Sequence, residues 1–228
     1  MKTLEQRTGA PASRRLTAWA CGLLIAAAVS QLAGCSTLGY LLYLVAPNPT
    51  ETVAAEFDDL DNHRVAIVIF ADQQVLYEYP FVRLTLATTV SSELRRHLEN
   101  VEVVDPACVI RYQDERLNWD VMEKTKLGRD LGADRVLYLA LVEYTMREAG
   151  SLQLFRGRIY AEAGLYDVAL DESTARLWDC PEIRVTYPED SPVGIPGDDD
   201  RGIRADTERR FAKALVEKFR EHEAPEER

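Results

Sequence analysis

The run Val65-Ala66-Ile67-Val68-Ile69-Phe70 decides the fold. Its residues are all apolar and mostly β-branched or aromatic, which is typical of a strand buried on both faces. A strand of this kind lies in a sheet that is covered by helices on each side. The run therefore predicts an α/β domain with a largely parallel sheet.

The segments that follow alternate between helix and strand patterns. Pro80 suits the first turn of a helix, and the stripe of that helix repeats every four residues: Leu86, Val90, Leu94 and Leu98. The next elements are a strand at 101–104 stopped by Asp105-Pro106, a helix at about 119–131 capped by Gly132, and a strand at 136–142. The order β-α-β-α-β predicts parallel strands joined by right-handed crossovers.

The carboxyl-terminal half changes from this alternation to a meander. Apolar and polar or small residues alternate over 158–165, which indicates a strand with one wetter face. A further strand over about 175–187 contains Pro181, which fits an edge position or a bulge. A last helix has one apolar face, formed by Phe211, Leu215 and Phe219. We therefore expect a two-layer or three-layer sandwich, β-α-β-α-β-β-β-α, with a mixed five-stranded sheet of order 2-1-3-4-5.

The first 35 residues form an export signal that ends at a lipid-accepting cysteine. Basic side chains lie within residues 1–15, and an uncharged apolar segment runs from Leu16 to Ala33, which is the layout of a secretory signal. Leu32-Ala33-Gly34-Cys35 then resembles the bacterial lipobox. The resemblance implies a diacylglyceryl group on Cys35, cleavage just before it, and acylation of the new amino terminus, as with palmitate. The alternative is an uncleaved transmembrane anchor, because the apolar run approaches the ~20 residues that a span needs.

Residues 38–46 are uncharged and too short to span a bilayer. They lie either at the membrane interface or against protein. Pro47-Asn48-Pro49 breaks regular structure, and an acidic linker follows it. The predicted organisation is a signal peptide at 1–34, lipidated Cys35 with an apolar segment and linker at 35–63, the α/β domain at 64–222 and a charged tail at 223–228.

The chain without its signal is strongly acidic. The full sequence has 27 basic and 38 acidic residues, and removal of residues 1–35, which hold four basic residues and one acidic residue, leaves 23 and 37, a net charge of −14. Phosphate backbones and anionic lipid headgroups repel such a surface. The charge argues against nucleic acid as a partner, and it leaves the acyl chains on Cys35 as the main hold on the membrane.

The order of elements from Arg64 to Phe219, with Leu131-Gly132-Ala133-Asp134 leading into an apolar strand and a meander, resembles a group of bacterial envelope domains. The group includes the amino-terminal domain of TolB and the curli-secretion lipoprotein family. The resemblance implies a role in envelope assembly. Pore formation by the curli-type channel is not carried over, because neither 147–158 nor 188–201 offers the ~9–11-residue alternating strands of a membrane barrel.

The sequence contains no motif for phosphate cradling, a serine nucleophile or a zinc protease. Its one candidate chemical site is a set of carboxylates, Asp72, Asp105 and Glu143, each at or just past the end of a predicted parallel strand. Ligands of α/β proteins gather at this edge, and converging carboxylates bind hard cations or act in hydrolysis. The simpler interpretation is that these residues form turns and caps.

Three histidines and one acidic run complete the candidates for chemistry. We interpret His63, His97 and His222 as surface residues, because the first two fall at the opposite edge of the sheet and the third lies in a charged tail. Asp198-Asp199-Asp200 lacks the spacing of a calcium loop and is interpreted as a solvated loop.

Four cysteines occur in the sequence. Cys21 leaves with the signal, and Cys35 carries the lipid. Cys108 and Cys180 fall at opposite edges of the predicted sheet, beyond disulfide distance. We therefore expect two separate, largely buried free thiols.

These observations favour a lipid-anchored, periplasm-facing lipoprotein that acts without catalysis as an interaction domain in envelope assembly. Ser36 after the cysteine fits release to the outer membrane, as in the lipoproteins that the motif resembles. We expect docking through the loop with Tyr77 and Tyr79 and through the exposed face or edge of the meander, onto an envelope protein or a second copy, without a cofactor or metal. The alternatives are a subunit of a ring-shaped secretion assembly and a metal-binding or hydrolytic protein using Asp72, Asp105 and Glu143.

Overall fold

The computed structural model describes residues 50–189, 191, 193–197 and 199–225. The predictions for the export signal, Cys35 and residues 38–46 concern residues outside this part of the chain. The strands are β1 (Thr50–Val53), β2 (Arg64–Phe70), β3 (Glu102–Val103), β4 (Arg135–Arg147), β5 (Leu154–Asp167), β6 (Arg176–Tyr187), β7 (Ile195–Pro196) and β8 (His222–Pro225). The helices are α1 (Gln73–Glu78), α2 (Val82–His97), α3 (Pro106–Glu115), α4 (Lys124–Leu131) and α5 (Arg201–Glu217), with a 3₁₀ turn at Trp119–Val121.

A six-stranded mixed sheet organises the domain. Its strands lie in the order β3-β2-β4-β5-β6, and β7 pairs with the start of β5. β2 is parallel to both of its neighbours, whereas β5 is antiparallel to both β4 and β6. This arrangement confirms the predicted mixed sheet and its strand order. The sequence pattern does not indicate β7 or the separate two-stranded sheet of β1 and β8.

Helices cover both faces of the parallel half of the sheet. β2 is buried from Val65 to Ile69, and its side chains alternate between two apolar cores. α2 and α5 cover the larger core with their predicted apolar stripes, which include Leu86, Val90, Leu94, Phe211 and Leu215. α3 and α4 cover the smaller core, to which they contribute Val109 and Leu127. The domain is therefore a three-layer α/β/α sandwich.

The antiparallel half of the sheet has one buried and one wetter face, as predicted. Ile159, Ala161, Ala163 and Leu165 are buried in the larger core, whereas Glu162 between them is exposed. β6 is the edge strand, and Pro181 lies where the register with β5 shifts between Ala161 and Ala163. Both predictions for Pro181, the edge position and the bulge, are confirmed.

One helix begins where the sequence indicated only the end of a strand. Pro106 is the first residue of α3, and the carboxylate of Asp105 accepts a hydrogen bond from the backbone N–H of Ala107 at 2.9 Å. The Asp-Pro pair is thus a cap and a first helical residue as well as a strand stop. The predicted helix at 119–131 is shorter than expected and begins at Lys124, but it ends at Gly132 in the left-handed conformation (φ 65°), as predicted.

The segment before β2 belongs to the folded domain. Thr52–Ala224 form one compact unit. Within it, Leu60 is 1% exposed in the larger core, and Glu56 accepts hydrogen bonds from Lys218 and from the Trp178 ring nitrogen. The folded domain therefore begins before residue 64, the boundary that the sequence suggested. None of the helices in the described ranges is long and apolar enough to cross a membrane.

Candidate functional site

Exposed aromatic residues lie at the upper edge of the sheet, by which we mean the edge where β2 and the parallel β4 end. The carboxylate of Asp72 follows β2 and accepts a hydrogen bond from the backbone N–H of Val75 at 2.8 Å, which caps the short helix α1. Tyr77 on this helix is 91% exposed, and Phe81, the residue before α2, is 71% exposed. The upper edge therefore places two large aromatic side chains in water.

Tyr79 lies between these residues in sequence but is only 4% exposed. Its ring meets the Tyr144 ring edge-on, with centroids 4.9 Å apart, and its hydroxyl accepts a hydrogen bond from the backbone N–H of Met146 at 3.1 Å. The prediction that Tyr79 belongs to an exposed docking surface is therefore wrong. The cause is α1: residues two apart point to the same side in an extended loop, but to nearly opposite sides of a helix.

A buried polar cluster lies beneath the upper edge. Glu208 of α5, itself 5% exposed, accepts hydrogen bonds from the Tyr144 hydroxyl at 2.6 Å and from the Thr85 hydroxyl at 2.8 Å. Burial raises the pKa of the Glu208 carboxyl, and these two hydrogen bonds and the charge of Arg204 offset only part of that effect. Burial, together with the nearby Glu208 charge, also raises the pKa of the Tyr144 hydroxyl, which keeps it a donor. The cluster joins α2, β4 and α5.

Further apolar side chains reach water at the upper edge. Leu117 is 99% exposed and lies just before the 3₁₀ turn, whose Trp119 ring is 6.2 Å from the ring of Phe70 at the end of β2. Leu152 is 81% exposed in the turn between β4 and β5. Leu117 lies on the side of the sheet covered by α3 and Phe81 on the side covered by α2, so these exposed side chains are scattered along the upper edge.

Phe81 was not among the predicted docking residues, although the sequence contains a signal for it. Val82 lies four residues before Leu86, so the apolar stripe of α2 begins at Val82, which is 2% exposed. Phe81 falls outside this stripe. An aromatic residue next to a buried stripe but off its face is a candidate for a surface role.

The three candidate carboxylates do not form a site, because each has its own structural partner. Asp72 caps α1, Asp105 caps α3, and Glu143 accepts a hydrogen bond from Arg158 at 2.8 Å. The register of β3 explains the separation: its two residues pair with Arg64 and Val65 at the start of β2, so Asp105 is far from the upper edge. The hypothesis of a metal-binding or hydrolytic site at these residues is therefore wrong, and the interpretation as caps and turn residues is confirmed for the two aspartates.

The other candidates for metal or acid–base chemistry are also dispersed. His63 contacts Arg135 at 3.2 Å, His97 pairs with Glu93 at 3.2 Å, and neither is buried. The ring of His222, which is also partly exposed, lies 3.2 Å from a backbone oxygen. Among the residues that the structure describes, no group of three or more His, Cys, Asp and Glu side chains could hold a metal ion.

The acidic run before α5 is part of an ion-pair arrangement. Asp199 binds the guanidinium of Arg201 at 2.6 Å, and both oxygens of Asp200 contact Arg204, at 2.6 and 2.7 Å. Asp198 lies outside the described residues. The guanidinium of Arg204 also stacks on the buried ring of Tyr79, 5.3 Å from its centroid, which links this run to the upper edge.

The two described cysteines lie far apart in the fold. Cys108 is on α3, which packs beside β2, whereas Cys180 is on β6 at the other edge of the sheet. Both are free thiols; Cys180 is 7% exposed, and Cys108 is half-buried and 3.7 Å from Arg111. The predicted placement at separate positions agrees with the structure, but only Cys180 is as buried as expected.

The sequence matches no protein-family model and no curated protein. Solved structures with distant similarity include lipoprotein GNA1162 from Neisseria meningitidis, with 15% identity and a TM-score of 0.42 over 67% of this chain and 94% of that one. A PelC dodecamer from Paraburkholderia phytofirmans shows 10% identity and a TM-score of 0.40 over 74% and 97% of the two chains.

TolB from Acinetobacter baumannii, whose group the sequence resembles, has 13% identity and a TM-score of 0.30. The match covers 75% of this chain but only 31% of TolB. All of these similarities are distant, and none of them assigns a function to this chain.

Proposed function

We propose that this chain is a lipid-anchored lipoprotein of the cell envelope whose folded domain binds a partner protein through its upper edge and catalyses no reaction. The observation that carries the proposal is the exposure of Tyr77 and Phe81 on either side of Tyr79, which is buried and hydrogen-bonded to the backbone of Met146. Aromatic side chains on a rigid support supply contact area at a low entropic cost, which makes them effective anchors in protein interfaces.

A protein partner fits this edge better than a lipid surface does. The exposed aromatic residues are flanked by Asp72 and Glu78, and Arg83 nearby is paired with Asp114 at 2.7 Å. The chain after the signal carries a net charge of −14. Anionic headgroups would repel a surface of this charge, whereas a partner protein can complement it.

The anchor in this proposal is Cys35. Leu32-Ala33-Gly34-Cys35 follows an apolar segment of suitable length, and Ser36 fits the outer membrane with the domain facing the periplasm. Two acyl signals suffice for stable attachment where one is marginal. The anchor would confine the domain to one surface and so raise its effective concentration for a partner there.

Site-specific photo-crosslinking in intact cells tests the docking surface. A photoreactive phenylalanine analogue in place of Tyr77 or Phe81 should give a discrete crosslinked product. The matched control is the same substitution at Leu170, which is 41% exposed in the turn between β5 and β6 at the opposite edge. Equal products at Leu170, or none at Tyr77 and Phe81, would contradict the docking surface. A product between two copies of this chain, with a large particle on sizing in detergent, would favour a ring-shaped secretion assembly instead.

Mass spectrometry of the native protein tests the anchor. The mature chain should begin at an acylated Cys35, and Cys35→Ser should leave an unprocessed precursor. The control is Cys21→Ser, which lies in the signal and should leave acylation unchanged. An unmodified Cys35 within an intact chain would instead establish an uncleaved signal anchor.

A further inference from the structure

Over its last residues, the outer edge of β6 is not paired with any strand that the structure describes. β6 pairs with β5 and with no other strand among the described residues. Its first half is irregular, because Pro181 lies at the register shift opposite Ala161 and Ala163 of β5. From Ile183 to Tyr187 the pairing with β5 continues without interruption. This stretch therefore offers a regular ladder of backbone donors and acceptors on its free side.

A groove runs along this open stretch, between β6 and α5, with a volume of about 590 Å³. We call it the β6 groove. β6 contributes Arg184, Val185 and Thr186, and Glu189 follows from the next loop. The remaining lining comes from one face of α5, at spacings of three and four residues: Arg210, Lys213, Ala214 and Glu217. The backbone edge of β6 and this face of α5 together form a channel that can hold an extended chain.

The lining of the β6 groove has more basic than acidic residues, unlike the chain as a whole. Arg210 and Lys213 line it from α5 and Arg184 lines it from β6, beside two acidic residues, Glu189 and Glu217, whereas the chain after the signal carries a net charge of −14. The guanidinium of Arg184 lies over Tyr160 on the face of the sheet opposite to α5, so cations flank this edge on both faces. The acidic contacts within the groove are long and lie at the surface: Arg210 is 3.7 Å from Glu189, and Lys213 is 3.6 Å from Glu217. Exposed pairs of this kind contribute little, so an incoming carboxylate can replace them.

Aromatic rings hold two of the cations in place. The guanidinium of Arg210 lies 4.8 Å from the ring centroid of Tyr187, and that of Arg184 lies 4.9 Å from the ring centroid of Tyr160. Arg184 also contacts Glu182 at 3.1 Å. Stacking orients a guanidinium without consuming its hydrogen-bond donors, and the donors that do not contact Glu182 or Glu189 are left for an incoming carboxylate.

We propose that the β6 groove binds an extended acidic segment of a partner protein, which adds a strand to the sheet along Ile183–Tyr187. Backbone pairing would supply affinity, and the three cations would select for carboxylates. This proposal is independent of the upper edge, which lies on other residues.

Fluorescence anisotropy of the full chain in detergent micelles tests the β6 groove. The probe is a fluorescein-labelled peptide, Asp-Val-Glu-Val-Glu-Val-Asp, compared with a version in which lysine replaces each acidic residue and a version with alternate backbone nitrogens methylated. We expect the acidic peptide to bind and the lysine peptide not to bind. The methylated peptide should bind at least about tenfold more weakly than the acidic peptide, because it cannot pair as a strand.

Two charge reversals complete the test. Arg210→Glu with Lys213→Glu should weaken binding of the acidic peptide about tenfold or more, whereas Arg209→Glu, on α5 but paired with Asp206 outside the groove, should change it less than about twofold. Absence of binding at millimolar peptide, equal binding of the methylated peptide, or a dimer on sizing that Arg184→Glu alters would each overturn the proposal. The crosslinks at Tyr77 and Phe81 would be unaffected in every case.

Discussion

A carboxylate oxygen of Glu172 accepts a hydrogen bond from the backbone N–H of Thr125 at 3.0 Å. The second oxygen accepts one from Lys124 N–H, also at 3.0 Å, so the turn between β5 and β6 caps the amino terminus of α4. Burial opposes ionisation of Glu172, but the hydrogen bonds from Thr125 and Lys124 outweigh it and lower the pKa below its ordinary value of 4.5.

Glu172→Ala should therefore lower the free energy of unfolding by about 1 kcal/mol at pH 7, because two helix N–H groups lose their partner. A carboxyl whose pKa is lowered on folding stabilises the protein above its unfolded pKa and loses that effect as the pH falls through the folded pKa. Urea unfolding of both proteins at pH 7 and at pH 3 measures the difference, which should shrink at pH 3. Glu162→Ala, an exposed change on β5, is the control; an equal loss there would contradict the capping role.

Gly157→Ala should be strongly destabilising, by about 1–3 kcal/mol, because a Cβ at this position would overlap the Thr207 hydroxyl and lie 2.7 Å from the Thr207 Cβ. Thermal unfolding measures the loss. Gly202→Ala is the matched control, since that Cβ meets no atom within 4 Å and alanine favours the helix. Thr207→Gly in the Gly157→Ala background should recover part of the loss if close packing of α5 on β5 is the cause.

Glu208→Gln should change the pH dependence of stability. The raised pKa of Glu208 means that the folded protein retains a proton that the unfolded chain releases above its ordinary pKa of 4.5. Between these two pKa values, the free energy of unfolding of the wild type falls as the pH rises. The glutamine variant lacks this contribution, because its side chain does not titrate. Urea unfolding from pH 4 to pH 8 measures this difference. A constant difference, or one of opposite slope, would refute the raised pKa.

Thiol labelling should distinguish the two cysteines of the folded domain. We expect Cys108 to react first in the native protein, because Cys180 is 7% exposed and β6 must loosen before it reacts. After denaturation without reductant, both should react fully, as peptide mapping by mass spectrometry would show. Protection of both under these conditions would reveal a disulfide and contradict the arrangement of β6 and α3.

The sheet was predictable because its signals are local and strong. The apolar run of β2 reflects burial on both faces of the sheet, and the alternation in β5 reflects burial on one face. Pro181 reflects the unpaired side of an edge strand. The left-handed cap at Gly132 was predictable for the same reason, since few residues other than glycine adopt a positive φ.

The candidate site was less predictable, because it depends on geometry that residue types do not encode. Asp105 is separated from the upper edge because β3 is only two residues long and pairs with the start of β2, and its residue type does not reveal this register. Tyr77 and Tyr79 differ in burial because a helix of six residues forms between two loops. So short a helix has no periodic pattern that a sequence can reveal.

The pairing of β2 with β4 has a consequence for the order of folding. Asp134, just before β4, accepts a hydrogen bond from the backbone N–H of Arg64, and the two residues are separated by 70 positions. β4, β5 and β6 pair with their neighbours in sequence and close only short loops, so we expect the meander to assemble early and β2 to join it later. Until then the run from Val65 to Phe70 is an unpaired apolar segment of high β-propensity, which is the kind of segment that aggregates. The stretch that specifies the fold is thus also one where we expect the incompletely folded chain to associate with other copies.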